Sequence, residues 1–299
     1  MTSRRGDIRI GVSGWTYPPW RGHFYPKGLV QRRELAFAAS RFPTLEINGT
    51  FYGLQRPESY RRWAEAVPGD FVFAVKGSRF ITHTKRLRDV ETPLANFLAS
   101  GLLCLGPKLG PLLWQFPPSF SFDAGLMRDF LDLLPQDTQA AARLAQHHDG
   151  QVEGRSATQT DAKRPLRHAV EIRHESFRTP AFIDMLRDHN VALVCADTVK
   201  WPRLMDLTSD FVYCRLHGQT ELYRSQYSDD DLTRWAGRVR AWTAGKPMRD
   251  GDFAGDPGRD MPRDVFLFFD NTDKLHAPDN ARHLMDMLNV HWDRAETAA

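Results

Sequence analysis

Three cysteines in 299 residues, Cys104, Cys195 and Cys214, make no even disulfide framework, and none of them forms a C-x-x-C pair. Each sits in an apolar run, so buried reduced thiols are expected, and zinc or cluster binding is not. No run approaches the roughly 18 consecutive apolar residues that a membrane span needs. Residues 1–7 contain no apolar targeting segment, so a cytoplasmic protein without membrane partners is expected. An excess of one charge is missing too. The 40 Lys and Arg against 37 Asp and Glu leave a net charge of +3, too small to mark a nucleic-acid binder by itself. There is no Gly-rich phosphate turn after the first strand-like run, where Gly11-Val12-Ser13-Gly14 leads into aromatics. That argues against an open dinucleotide-binding sheet.

What is present is alternation. Short apolar runs at 8–13, 44–48, 71–76, 112–116, 168–173, 191–197, 211–217 and 265–270 read as strands. Between them lie helical patterns at 34–41, 58–66, 93–103, 124–134, 181–189, 229–242 and 278–288, several opening near a proline. Strand and helix in strict turn imply a parallel sheet, and eight units in this length suit one closed (β/α)8 TIM barrel over residues 1–299. The unit after strand six is short, so a reduced or missing helix is expected there. Stretches 139–165 and 245–263 are polar and lack hydrophobic periodicity. They read as flexible insertions on the N-terminal face of the barrel, away from any chemistry.

Residues two apart share a face of a strand. The apolar partners Leu45 and Ile47, Val170 and Ile172, and Val212, Cys214 and Leu216 belong against helices. Glu46 and Asn48, Glu171 and Arg173, and Tyr213, Arg215 and His217 are then left for the lumen. Lys76, Gln115, Asp197 and Asp270 each end a strand, and Ser13 ends the first. C-terminal strand ends are where barrels carry their chemistry, and buried charges there must be paired. Glu46, Glu171, Asp197, His217 and Asp270 are also plausible metal ligands. Three fixed cations at the same mouth, Lys76, Arg173 and Arg215, suit an anion better, so no resident metal or cofactor is expected.

Ordered local motifs resemble the YecE-like family, domain-of-unknown-function family seventy-two. They include Gly11-Val12-Ser13-Gly14-Trp15 with Tyr17, Trp20, Gly22, Phe24, Tyr25 and Pro26. Glu46-Ile47-Asn48 is followed by Thr50-Phe51-Tyr52, and Phe73-Ala74-Val75-Lys76 by Ile81-Thr82-His83. Further along come Leu105-Gly106, Lys108-Leu109-Gly110-Pro111, Gln115-Phe116-Pro117-Pro118, Glu171-Ile172-Arg173-His174, Arg215-Leu216-His217-Gly218 and Phe269-Asp270-Asn271. The resemblance runs from about Ile8 to Leu288 and implies a TIM barrel with no assigned reaction. The chain departs from the pattern in its longer 139–165 and 245–263 stretches, and in reading Asp270-Asn271-Thr272 where the family commonly has Asn-Asn-Asp or Asn-Asp.

The functional expectation is an enzyme on a small anionic substrate, phosphate- or carboxylate-bearing, with hydrolase and isomerase or lyase classes both open. Lys76, Arg173 and Arg215 would hold the anion, Glu46 or Glu171 would act as base, and His217 as acid. Trp15, Tyr17, Trp20 and Tyr52 would stack on the substrate. Asn48, His83, Gln115, His174, Asp197, Asp270 and Asn271 complete the binding set. The alternatives are non-catalytic binding of a nucleotide or single-stranded nucleic acid, and a metal-dependent phosphodiesterase-like hydrolase.

Overall fold

In every strand the alternate residues separate into an outer, helix-facing set and an inner, lumen-facing set, and this parity organises the molecule. The computed structural model describes residues 5–218, 226–246, 248, 250–270 and 275–296. The strands are β1 (Ile8–Ser13), β2 (Thr44–Ile47), β3 (Val72–Lys76), β4 (Leu109–Gln115), β5 (His168–Glu171), β6 (Ala192–Asp197), β7 (Phe211–Leu216) and β8 (Asp264–Phe269). They pair in parallel in chain order, and β8 returns to β1, so the sheet is the closed barrel that the alternation predicts. The helices are α1 (Glu34–Arg41), α2 (Gly49–Tyr52), α3 (Pro57–Glu65), α4 (Glu91–Ala99), α5 (Ala124–Leu133), α6 (Thr138–Ala145), α7 (Pro180–Asp188), α8 (Asp229–Thr243) and α9 (Ala277–Met287). Among the described residues no helix is long and apolar enough to cross a membrane.

Val12, Leu45, Trp114, Val170, Cys214 and Leu267 join the helices in the main core. Ala74, Leu113, Ala169, Val194, Tyr213 and Phe268 form a second apolar cluster of opposite parity, which fills the lumen. One step further towards the C-terminal ends, the same inner positions become Ser13, Glu46, Lys76, Gln115, Glu171, Arg215 and Asp270, all buried. The lumen is therefore an apolar plug beneath a layer of charge.

Both stretches expected to be loose are structured, and each for its own reason. Within 139–165, α6 is capped by Asp137, whose carboxylate accepts from Ala140 N at 2.8 Å. Its buried face is made of Ala141, Ala142 and Ala145, too small to register as hydrophobic periodicity but small enough to pack closely beside α4. Val152 is buried beyond it, and the Thr138 hydroxyl donates to Ala162 O at 2.6 Å, tying down the return to β5. The helix after β6 is indeed missing, since residues 198–210 carry none. Part of 245–263 takes its place. Met205 N donates to Asp252 O at 2.8 Å and Leu207 N to Pro257 O at 2.9 Å, and Gly255 lies against Ile183 of α7. Pro247 and Arg249 of that stretch lie outside the described residues.

The buried carboxylate of Asp206 fastens the two segments by accepting from Ala254 N at 2.9 Å and Gly255 N at 2.8 Å. Asp206→Ala leaves both amides without that acceptor and is expected to lower the unfolding free energy by roughly 1–3 kcal/mol. Urea denaturation measures this. An unchanged midpoint would show that 245–263 is not fastened to the barrel through Asp206.

Candidate active site at the barrel mouth

Arg215 comes up the inside of β7 and is the hub of the charged layer. Its Nε donates to Glu46 Oε2 (3.1 Å), its Nη1 to Glu171 Oε2 (2.6 Å), and its Nη2 to Glu46 Oε1 (2.9 Å), Asp270 Oδ2 (2.8 Å) and Ser13 Oγ (3.2 Å). Glu46 also accepts from the Ser13 hydroxyl at 2.5 Å and the Tyr213 hydroxyl at 2.6 Å. Glu171 accepts from Gln115 Nε2 at 2.9 Å and Arg173 Nε at 2.8 Å. Burial would raise the Glu171 carboxyl, but Arg173, Arg215, His217 and Lys76 together hold it well below the usual carboxylate range. At neutral pH it is a structural anion and a weak base. Arg215, expected to grip a substrate anion, instead has all three nitrogens engaged by protein oxygens.

His217 is fully buried just past β7, with Nδ1 3.2 Å from Asp270 Oδ2 and Nε2 3.8 Å from Glu171 Oε1. Two carboxylates thus lie beside one buried imidazole. The Trp201 ring stands edge-on to it at 5.5 Å, and the Arg173 guanidinium lies 4.2 Å from the centre of the same indole. Arg173 uses only Nε and Nη2 on Glu171, and its Nη1 makes no hydrogen bond among the described residues.

Lys76 differs from the rest of the layer. It is 8% exposed, and among the described residues no carboxylate oxygen lies within 4.0 Å of its ammonium, which sits 4.2 Å from the centre of the Phe51 ring. Local structure puts it there. The Thr50 hydroxyl at the start of α2 donates to Lys76 O at 2.6 Å, which carries the next residue, Phe51, over the amine. Gly77 must follow, because a Cβ there would meet the Trp114 ring at 2.4 Å. Burial first, then the charge of Arg215, pushes the Lys76 amine down to about 8, against the raising effect of Glu46, Glu171 and Asp270. His83, on a π-helical turn at Phe80–Thr84, has its ring 5.1 Å from the same Phe51 ring. Burial, then Lys76, Arg173 and Arg79, push this histidine down to about 4, so it is neutral at pH 7.

Other expected site residues fall elsewhere. Trp20 is 0% exposed, packed among Tyr17, Phe24 and Tyr25, so it plugs the first loop and cannot stack on a ligand. Tyr17 folds back to donate to Ser13 O at 2.7 Å over Gly14, whose φ of 78° makes that turn. Trp15 packs outward on Trp63 and Phe73. His174 caps a short 3-10 turn by accepting from Ser176 N at 3.2 Å. Asp197 has outer parity. It joins Arg203 Nη1 (3.0 Å) and the Tyr227 hydroxyl (3.0 Å) beside the lumen network, not in it. Asn48 does belong to the layer, donating to Ser13 Oγ at 2.7 Å, and Tyr52 is 72% exposed at the rim. Asn271 lies outside the described residues. Among the described residues no three His, Cys, Asp or Glu side chains are grouped to hold a metal ion.

Sequence reasoning missed Phe51, Trp201, Arg203 and Tyr227 as neighbours of the site. It placed Tyr213 in the lumen with Arg215 but not its hydrogen bond to Glu46. Trp201 and Arg203 come from the loop that replaces a helix, where no periodicity predicts direction.

Arg215→Met would leave Glu46, Glu171 and Asp270 without their shared cation, and the unfolding free energy at pH 7 should fall by about 3–5 kcal/mol. A lowered carboxyl such as Glu171 favours the wild-type fold above the ordinary carboxylate range, and that contribution fades as pH falls. The variant gains by protonation over the same range. The gap between the two proteins should therefore narrow between pH 7 and pH 4 in urea titrations. A gap independent of pH would contradict the network account.

Comparison with known proteins agrees with the fold. Over 129 residues the chain is 32% identical to the UPF0759 protein YecE of Escherichia coli K12, a match spanning 43% of this chain and 44% of that protein. It is 21% identical to the UPF0759 protein YunF of Bacillus subtilis 168, over 95% of this chain and 96% of that protein. The solved DUF72 family protein TM1631 of Thermotoga maritima superposes with a TM-score of 0.70 at 24% identity, covering 95% of this chain and 99% of that one. The DUF72 family protein EF0366 of Enterococcus faecalis gives 0.68 at 17% identity, covering 98% of this chain and 100% of that one. The family model described as protein of unknown function DUF72 matches residues 9–299, so the chain belongs to the DUF72 family.

Proposed function

We propose that this protein is an enzyme that draws a small phosphate- or carboxylate-bearing substrate to the C-terminal mouth of its barrel and acts on it by acid–base chemistry. The observation that carries this is the uneven distribution of charge in the buried layer. Glu46, Glu171 and Asp270 are consumed by Arg215, while Lys76 and the Nη1 edge of Arg173 stay uncommitted among the described residues, and the charge of both cations is felt at a neutral His83. Both cations, with Arg79, contribute to keeping His83 unprotonated, so their positive potential converges at one place. His217, with its Nδ1 3.2 Å from Asp270 Oδ2, is the acid–base residue of this reading.

A second reading, binding of a nucleotide or single-stranded nucleic acid without turnover, is favoured by two exposed aromatics at the rim, Tyr52 and Phe80 (44% exposed). The basic run Lys85-Arg86-Leu87-Arg88, which would accompany them, is partly spent. Arg86 Nη2 donates to Ser119 O at 2.8 Å, and Lys85 lies 3.7 Å from Asp89. A small anionic substrate fits the buried layer better.

A buried lysine kept without a counter-ion costs stability, so its removal should help the fold and harm the function. Lowering its amine from 10.5 to about 8 corresponds to a penalty of roughly 3 kcal/mol at neutral pH. Lys76→Met is therefore expected to raise the unfolding free energy at pH 7 by about 1–3 kcal/mol. The gain should shrink above pH 8 and vanish near 10.5, where wild-type Lys76 is neutral both folded and unfolded. The same variant should bind sulfate at least about 10-fold more weakly. Wild-type sulfate affinity should itself fall as pH rises through about 8. A variant that is more stable yet binds sulfate normally would remove Lys76 from the site.

For catalysis, wild type and His217→Asn should be compared across phosphomonoester, phosphodiester, sugar-phosphate isomerase and oxo-acid lyase substrates. A loss in kcat of about 100-fold or more, with KM little changed, is expected on whichever class responds. If wild type turns over nothing but binds oligothymidylate with a steep salt dependence, abolished by Tyr52→Ala, the binding reading replaces this one.

A further inference from the structure

We infer that Lys76 is a Schiff-base nucleophile, and that the substrate is a small aldehyde or ketone bearing a phosphate or carboxylate; this rests on the anion-site reading and extends it. A lysine serving only to clamp an anion works best at an exposed rim with its full charge. A lysine serving only the fold is paired. Lys76 is buried on the face of Phe51, 4.2 Å from the ring centre, and no carboxylate among the described residues lies within 4.0 Å. Removal from water and the nearby charge of Arg215 leave about a tenth of the amine unprotonated at pH 7, far more than an exposed lysine offers.

The neighbours supply the remaining steps. The lone pair on Lys76 Nζ attacks the carbonyl carbon, and the C=O electron pair moves onto oxygen, which takes up a proton to give a carbinolamine. A second proton transfer lets that oxygen leave as water while the nitrogen lone pair forms C=N, so amine, carbonyl compound and one proton become a protonated imine and water. Neutral His83 shares the Phe51 ring with the amine and has Nδ1 2.9 Å from Thr82 Oγ1, which leaves Nε2 to pass these protons. Arg173 carries the anionic group, held flat by Glu171 on one edge and the Trp201 ring beneath. The imine then acts as an electron sink for bond cleavage or proton abstraction next to the former carbonyl, with His217 as the acid–base group. This assigns the site to lyase or isomerase chemistry over hydrolysis.

The test uses the intact wild-type protein with two probes in turn, pyruvate and dihydroxyacetone phosphate, followed by sodium borohydride at pH 7. Hydride reduces the imine to a stable secondary amine, which adds the mass of the probe less one oxygen atom. Lys76 is one of eight lysines in the chain, so peptide mapping locates the adduct unambiguously. With at least one probe, labelling concentrated on Lys76 is expected, suppressed by sulfate and absent in Lys76→Arg, which keeps the charge. No adduct with either probe, or labelling spread evenly over the lysines, overturns the Schiff base. Acetylation of Lys76 by acetic anhydride with and without sulfate then separates the two ideas. Protection by sulfate leaves the anion site standing without the covalent step, and no protection removes both.

Discussion

One guanidinium holds the mouth of this barrel together. Placing Glu46, Glu171 and Asp270 on three inner strand ends brings three carboxylates into one desolvated volume, and Arg215 is the cation that reaches all of them. The remaining lone pairs go to Ser13, Tyr213, Gln115 and Arg173, so the network is satisfied from several strands at once. Such a layer is a poor source of stability compared with the apolar plug beneath it. What it provides is rigidity, because the two carboxylates beside His217, Glu171 and Asp270, are both held by Arg215 from β7.

That rigidity gives meaning to the group left out of it. Among the described residues no carboxylate oxygen lies within 4.0 Å of the Lys76 ammonium. Instead Thr50 and Phe51 place an aromatic face over it, and Gly77 and Trp114 hold the strand end in position. The fold bears the expense of a desolvated amine. Burial first, and then the charges of Lys76, Arg173 and Arg79, keep His83 neutral.

The gap in the helical ring shapes the other side of the mouth. With no helix between β6 and β7, the chain from 198 to 210 is free to run as a loop, and it brings Trp201 against Arg173 and His217 and Arg203 onto Asp197. The outer surface so exposed is covered by part of 245–263, through Asp206 and the backbone of Met205 and Leu207. A stretch with no periodicity of its own is thus ordered by what it replaces.

The sequence by itself determined the barrel, because the parity of residues along each strand and the alternation of strand with helix are local properties that survive without knowledge of neighbours. It also determined most of the polar residues that share the lumen, since Glu46, Lys76, Gln115, Glu171, Arg215 and Asp270 occupy inner positions at strand ends, while Asp197 turns outward. The small-residue helix α6, the packing of 245–263 and the inward burial of Trp20 were not legible, because alanine stripes, polar loops and aromatic loops acquire direction only from what packs against them. Only the tertiary structure decided how the charges are shared. Arg215 looks like an anion clamp in one dimension, and Lys76 looks equivalent to it. In three dimensions the distances to Glu46, Glu171 and Asp270 commit the first to the protein and leave the second with no carboxylate within 4.0 Å among the described residues, because each strand end aims its side chain differently into the shared layer.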